Sequence, residues 1–204
     1  MRSKRQRLAV LLLATAVVVG LYYARQWVGP GPGVVCGEPC GKERWEVKTL
    51  SDADSRGVNF SPQEATVAWL ASQPAPGRLL SDRRLAPLET QVFRVPAILV
   101  GLKEEDDGDL HLVIADMNDP SRTMIVEIPS SSCSGACASG HVAEFESARQ
   151  TVVSRFGPPS PRFQPVSRRV VITGVGFFDF IHGQRGVAPN GVELHPVLSI
   201  EFLD

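Results

Sequence analysis

Carboxylate and imidazole side chains recur at strand-like spacing in two stretches of the chain. Asp109 and His111 lie two residues apart, as do Glu193 and His195, so on strands each pair shares a face. Histidine and carboxylate side chains can hold a divalent metal or transfer protons. With neighbouring polar residues, the candidates for a ligand or metal site are Asp109, His111, Glu127, Asp179, His182, Gln184, Asn190, Glu193 and His195.

Four of these residues, Asp109, His111, Glu193 and His195, are expected to form one neighbourhood, with the loop 179–196 folded over it. Structural uses compete with this interpretation. Asp107-Gly108 and Pro189-Asn190-Gly191 are typical turn sequences, and Glu193 and His195 could cap backbone groups of the loop. The neighbourhood is therefore either a binding site or a structural hydrogen-bond network.

The sequence lacks the motifs of nucleophilic catalysis. It contains no Gly-x-Ser-x-Gly sequence and no Cys/His pair in a catalytic context. These observations favour a non-enzymatic binding or interaction module for an unknown protein or small-molecule ligand, without a cofactor. The alternative is a metal-dependent hydrolase, nuclease-like by analogy of fold, with a divalent metal in the His/Asp/Glu constellation.

The elements that must position these residues are mostly strands. A short extended stretch is predicted at 45–50, and a short helix from Ser61, followed by Pro62, through Ala71. Period-two patterns predict five longer strands, and a 3.6-residue stripe predicts one helix. The strands are 90–102, 109–115, 123–128, 169–178 and 197–202, and the helix is 142–156.

This order predicts a mainly β (α+β) domain. Three strands, a helix and two strands are the order of an OB-fold, a five-stranded barrel with one helix between strands three and four. A six-stranded sandwich-like arrangement is the alternative. On the second strand, Leu110 and Leu112 are expected to face the core, and Asp109 and His111 to face outward.

The N-terminus predicts a membrane segment ahead of this domain. Residues 1–7 form a basic head, residues 8–27 a transmembrane anchor or signal segment, and residues 28–43 a Gly/Pro linker to the domain 44–204. The uncharged run 8–24 would span roughly 25 Å as a helix, near the lower limit for a bilayer. Because the basic head stays cytoplasmic, the domain is expected outside the cytoplasm, tethered or, if the segment is cleaved, secreted.

The four cysteines form two Cys-x-x-x-Cys pairs, Cys36/Cys40 and Cys133/Cys137. In an exported chain such pairs indicate disulfides, and a four-thiolate zinc site is the alternative. Two local loops or one long staple between the pairs are both compatible with the spacing.

The charge distribution argues against nucleic acid as a partner. The net charge is −1, but residues 1–26 hold five basic residues and no acid. The remainder has 16 basic and 22 acidic residues and repels phosphate backbones. The membrane is the partner that the N-terminus predicts.

Two sequence motifs resemble segments of an uncharacterised family of exported bacterial proteins. The closing motif reads VITGVGFFD at 171–179, HGQ at 182–184 and GVAPNGVELHPVL at 186–198, and a central hairpin reads EDDGDLHLV at 105–113. The resemblance covers roughly residues 43–204. It implies the fold and export to the bacterial cell membrane, and it supplies no reaction. The chain departs from the family pattern at Cys36, Cys40 and Cys137.

Overall fold

The computed structural model describes residues 36–37, 40–41 and 43–203. The predicted head 1–7, the segment 8–27 and most of the linker 28–43 lie outside this part of the chain. Within the described residues, none of the helices combines the length and the apolar character needed to cross a membrane.

The described residues form a mainly β domain with a few helices, in agreement with the predicted α+β class. The strands are β1 Asn59–Glu64, β2 Gln91–Glu104, β3 Leu110–Asp116, β4 Thr123–Ile128, β5 Gln164–Phe178 and β6 Val192–Phe202. The helices are α1 Trp45–Lys48, α2 Val67–Ala71 and α3 Val142–Phe156, with 3-10 turns at Ala53–Gly57 and Leu88–Thr90.

All of these strands belong to one mixed sheet with the order β1-β2-β3-β4-β6-β5. Strand β2 pairs with β5 as well, so hydrogen-bonded neighbours lead from β2 through β3, β4, β6 and β5 back to β2. The β1–β2 and β4–β6 pairs are parallel and the others are antiparallel. The parallel β4–β6 pair sets Ile125 beside Glu193, which brings the two polar stretches of the sequence together.

Two short elements differ from the predictions. The stretch 45–50 is helical at its start, not extended; Trp45 and Val47 are both buried, and two positions cannot distinguish a helical turn from a strand. Residues 59–64 form the exposed strand β1 instead of the start of a helix. At the sheet edge Pro62 can lie in a strand without breaking the ladder. The helix starts later, where Thr66 Oγ1 accepts a hydrogen bond from the Trp69 N–H.

Strand β3 is buried along its whole length. Leu110, Leu112 and Ile114 belong to the hydrophobic core. His111, which was expected to face outward, is 1 % exposed, and Asp109 just before the strand is 0 % exposed. That part of the prediction is wrong because the β5–β6 loop covers the second face, with the Arg185 carbonyl oxygen 3.2 Å from His111 Nε2.

The four cysteines form two long-range disulfides, Cys36–Cys137 and Cys40–Cys133, with sequence separations of 101 and 93. The predicted disulfides are therefore confirmed, and the zinc alternative is wrong. They staple the start of the domain to the segment between β4 and α3. Such cross-links suggest an oxidising, extracytoplasmic environment.

Candidate functional site

An acidic cleft of about 400 Å³ lies between the β2–β3 turn and the β5–β6 loop. Its walls also include residues of α1, β3, β4 and β6. The described lining residues are Cys40, Gly41, Glu43, Lys48, Glu105, Asp106, Asp107, His111, Ile125, Glu127, Asp179, His182, Gln184 and Glu193. Seven of them are carboxylates, and Lys48 is the one lysine among them.

The β2–β3 turn presents carboxylates at the cleft mouth. Gly108 takes a φ of 81°, a value that favours glycine, and its N–H donates to the Glu105 carbonyl oxygen at 2.9 Å. Asp107 Oδ1 accepts a hydrogen bond from the Asp109 N–H at 3.2 Å. This local network turns the chain tightly enough to place Glu105 and Asp107 beside β3.

The β5–β6 loop is ordered by its own polar side chains. Gln184 Nε2 donates to the Phe180 carbonyl oxygen at 2.7 Å, and Gln184 Oε1 accepts from the His182 N–H at 2.9 Å. Asn190 Nδ2 donates to the carbonyl oxygens of Leu70 and Gln73, both at 3.0 Å, which fastens the loop to the end of α2. Asn190 therefore has a structural task away from the cleft, whereas His182 and Gln184 are at its wall.

Below the cleft floor, carboxylates and imidazoles alternate across three strands. His111 and Glu127 are paired in the β3–β4 register, and His111 Nδ1 lies 2.9 Å from Glu127 Oε1. Glu127 Oε2 lies 3.1 Å from His195 Nδ1, and His195 Nε2 lies 3.4 Å from Asp109 Oδ2. At the cleft end, Glu105 Oε1 is 3.2 Å from His111 Nδ1. The chain of groups runs from the interior to the cleft.

Several polar atoms of this cluster are buried without a hydrogen-bond partner in the described part of the chain. They are Asp109 Oδ2, both ring nitrogens of His195 and Glu193 Oε2. His195 lies within ion-pair distance of two carboxylates, but neither contact has hydrogen-bond direction. Since a buried polar atom left unpaired costs about 1–3 kcal/mol, the cluster is poorly satisfied as a purely structural network.

Burial and neighbouring charges separate the pKa values of the acidic groups. Burial raises the pKa of Asp109, and His195 offsets only part of this effect. Burial, with Glu127 next, raises the pKa of Glu193 well above its ordinary range. Burial acts on Glu127 in the same direction, but contacts with His111 and His195 outweigh it and lower the pKa of that carboxyl. Glu127 therefore ionises more readily than Glu193, which holds its proton more tightly.

The two cationic groups respond to the same carboxylates. Burial alone would lower the pKa of Lys48, but Asp179, Glu127 and Glu193 raise it instead. Burial would likewise lower the pKa of His195, and Asp109 and Glu127 raise it. The site thus attracts protons and cations, and it can hold a positively charged group or pass a proton between neighbouring side chains.

The structure brings together five of the predicted residues, namely Asp109, His111, Glu127, Glu193 and His195. Glu193 and His195 lie within β6, which starts five residues earlier than predicted. Asp179, His182 and Gln184 lie at the cleft wall, and Asn190 does not.

Sequence reasoning missed Lys48 and Glu105. Lys48 was assigned to an extended stretch without a partner, yet its Nζ lies 3.1 Å from Asp179 Oδ2. Glu105 was not among the predicted site residues, although it begins the central hairpin motif. Its position three residues before Gly108 in a hairpin turn is the signal that could have placed it beside the His111 strand.

No family model, no curated protein and no solved structure matches the chain. Its function therefore has to be argued from its geometry and charge.

Proposed function

We propose that the chain is a membrane-tethered, extracytoplasmic binding module that holds a cationic ligand in the acidic cleft. The observation that carries the proposal is the charge of the cleft, where seven described carboxylates face one lysine. Lys48 is already engaged with Asp179. A volume of about 400 Å³ is sufficient for a small molecule or a basic side chain. Residues 8–24 supply the tether in this proposal.

The fold that we propose for β2–β6 is an OB-fold-like barrel, with β1 added at the edge. The circular order of pairing supports it, as does the place of α3 between the third and fourth strands of the ring. OB-folds bind ligands with the loops that join strands one to two and four to five. Here these are the β2–β3 turn and the β5–β6 loop, the two segments that border the cleft.

The proposed kinship with exported bacterial proteins fits this location. The closing motif contributes Asp179 and Glu193 to the cleft, and the central hairpin motif contributes Glu105 and His111. Both motifs therefore supply residues to one site. The carboxylates repel phosphate groups, so nucleic acid is not the ligand that this cleft favours.

A charge-matched experiment tests the proposal. Full-length protein in detergent is titrated with tetralysine peptide and with spermine at low ionic strength, and binding is expected to weaken with added salt. The double variant Glu43→Gln/Asp106→Asn removes two exposed charges at the cleft and should weaken binding about tenfold. The control Glu46→Gln/Glu146→Gln removes two exposed charges that do not line the cleft. Equal affinity of the two double variants would contradict the proposal.

The second candidate function is a metal-dependent hydrolase. The alternating series Asp109, His195, Glu127 and His111 favours it, because such a series can transfer protons to a group bound in the cleft. Cleavage of bis(p-nitrophenyl) phosphate in the presence of Mn²⁺, lost in His111→Gln, would support this function. Turnover that His111→Gln leaves unchanged would count against it.

A further inference from the structure

The wall of the cleft holds three side chains of the kinds that divalent transition metals bind. Glu105, His111 and Glu127 each offer one ligand atom, and these atoms lie within 4.8 Å of one another. His111 Nδ1 is central, at 2.9 Å from Glu127 Oε1 and 3.2 Å from Glu105 Oε1. One imidazole with two carboxylates suits Zn²⁺ or Mn²⁺ better than Ca²⁺, which prefers oxygen ligands alone.

The hydrogen bond made by His111 Nε2 determines whether His111 Nδ1 can act as a ligand. Nε2 lies 3.2 Å from the carbonyl oxygen of Arg185, which can only accept a hydrogen bond. Nε2 therefore carries a hydrogen, and in the neutral ring Nδ1 directs its lone pair at two carboxylate oxygens. Three hydrogen-bond acceptors then face one another, and only a proton or a metal ion between them relieves their mutual repulsion. Metal-binding histidines usually donate their other ring N–H to a carbonyl or carboxylate oxygen, which fixes the orientation of the ring.

An independent observation on the same cleft also points to a cationic ligand. Glu193 lines the cleft and is 1 % exposed, and its Oε2 has no hydrogen-bond partner in the residues that the structure describes. Lys48 Nζ donates to Asp179 Oδ2 at 3.1 Å, and its charge also acts on Glu193. A buried carboxylate oxygen without a donor, in a residue that lines a cleft, is a feature that a bound cation would explain.

We propose that Glu105, His111 and Glu127 bind a divalent transition-metal ion of the Zn²⁺ or Mn²⁺ type in the cleft, with Glu193 as a neighbouring counter-charge. The proposal rests on the proposed function and specifies its cationic ligand. The metal enters on the His111 side, because Asp109 and His195 lie behind Glu127 and do not line the cleft.

Asp109 and His195 are positioning residues in this arrangement. His195 contacts Glu127 Oε2, the oxygen turned away from His111, and Asp109 lies on the other side of the His195 ring. Asp109 is fixed in turn by the Ser130 N–H, which donates to its Oδ1 at 3.0 Å. These contacts hold Glu127 with Oε1 toward the cleft, and losses of 10–100-fold in metal affinity are typical when such supports are removed.

The test uses full-length protein in detergent, stripped with EDTA and titrated with ZnCl₂ and MnCl₂ by calorimetry. One ion per chain is expected to bind in the cleft. His111→Gln and Glu105→Gln should each lower the affinity by at least about tenfold. Bound Co²⁺ should show a visible absorption spectrum that His111→Gln alters, which gives a readout that a change in stability alone would not move.

The matched control is His141→Gln, since His141 Nδ1 faces Glu144 at 3.3 Å in an accessible His–carboxylate pair outside the cleft. Its metal affinity should equal that of the wild type. Should His111→Gln fail to fold, Glu105→Gln decides, because Glu105 is only half-buried. Absence of metal binding by the wild type, or unchanged affinity in Glu105→Gln, overturns the proposal. Tetralysine binding without metal binding would contradict only the metal site and leave the proposed function intact. Absence of both kinds of binding would contradict both proposals.

Discussion

Two buried ionic clusters lie within the same domain, and they differ in how completely their charges are paired. In the first, Arg44 makes two hydrogen bonds to the carboxylate of Glu89, at 2.6 and 2.8 Å, and Arg84 pairs with Asp52. In the second, Asp109, His195 and Glu193 hold buried atoms without hydrogen-bond partners among the described residues. Both clusters exclude water to a similar degree, so pairing is what separates them.

The first cluster satisfies nearly every donor it contains. Arg44 also donates to the carbonyl oxygens of Leu80, Phe178 and Arg83, while Glu89 accepts from the Leu85 and Phe178 N–H groups. It ties α1 to the start of β2 and the end of β5. A cluster whose donors and acceptors are almost all paired has little left to bind a ligand, whereas the second cluster borders a cleft and keeps unpaired acceptors among the described residues.

The largest effect is expected from Glu89→Gln in the paired cluster. The amide leaves the Arg44 guanidinium as an uncompensated buried charge, and breaking such a pair costs about 3–5 kcal/mol. Urea unfolding followed by circular dichroism measures the loss. A cost below about 1 kcal/mol would show that the first cluster is not the structural one.

The same substitution at Glu193 should act in the opposite direction. Glu193→Gln removes a buried carboxylate that lacks a donor, and we expect a gain of about 1–3 kcal/mol at pH 8 without metal. The glutamine keeps the volume and the shape, so the two Glu→Gln variants form a matched pair. Destabilisation of Glu193→Gln by the same amount as Glu89→Gln would remove the distinction between the clusters.

The pH dependence of stability should belong to the second cluster. The pKa of Glu193 is raised above its ordinary 4.5, chiefly by burial and then by Glu127, so the folded state keeps a proton that the unfolded chain releases. Stability from this group is present below pH 4.5 and falls as the pH rises. Burial would lower the pKa of His195, but Asp109 and Glu127 raise it from 6.5, so its contribution is lost above that pH.

Glu127 acts in the other direction, because its lowered pKa makes its contribution fall only at acid pH below 4.5. The melting temperature should therefore be highest near pH 4.5 and decline toward pH 8. Glu193→Gln should flatten the decline. A melting temperature that rises from pH 6 to pH 8 would contradict these directions.

The smallest effect is expected at the surface. Arg94 and Glu64 form an ion pair at 3.1 Å whose side chains are 37 % and 67 % exposed. Glu64→Gln should change stability by less than about 1 kcal/mol, because water and salt screen such pairs. Thermal unfolding at low and high salt measures it, and a cost comparable to Glu89→Gln would show that burial is not what distinguishes the two pairs.

The sequence predicted the parts of the fold that repeat a pattern over many residues. Helix α3 matches its predicted bounds because Phe145, Ala148 and Val152 form one stripe and Gly157, at a φ of 82°, ends it. Strands β2 to β6 were found for the same reason. Helix α1 and strand β1 have too few positions for a period to show, and β1 has no buried side chain to mark a face.

The sequence predicted which residues form most of the candidate site, but not how deeply they are buried. Strand parity placed Asp109 beside His111 and Glu193 beside His195. The burial of Asp109 and His111 depends on the β5–β6 loop, whose Arg185 is 74 residues from His111 in sequence. No local periodicity predicts where such a distant loop packs. The pairing of Arg44 with Glu89 spans 45 residues and is equally invisible to local patterns.

The connectivity of the disulfides has a mechanical consequence. Because Cys36 is bonded to Cys137, tension applied at the two ends of the chain passes through sulfur and bypasses the backbone from 37 to 136. The second cross-link, Cys40–Cys133, is nested just inside the first and backs it up. The bypassed stretch contains β1 to β4 and, with them, Lys48, Glu105, His111 and Glu127. Force applied between Cys36 and the C-terminal strands would thus strain those strands first, while the backbone that carries most of the acidic cleft would bear no tension.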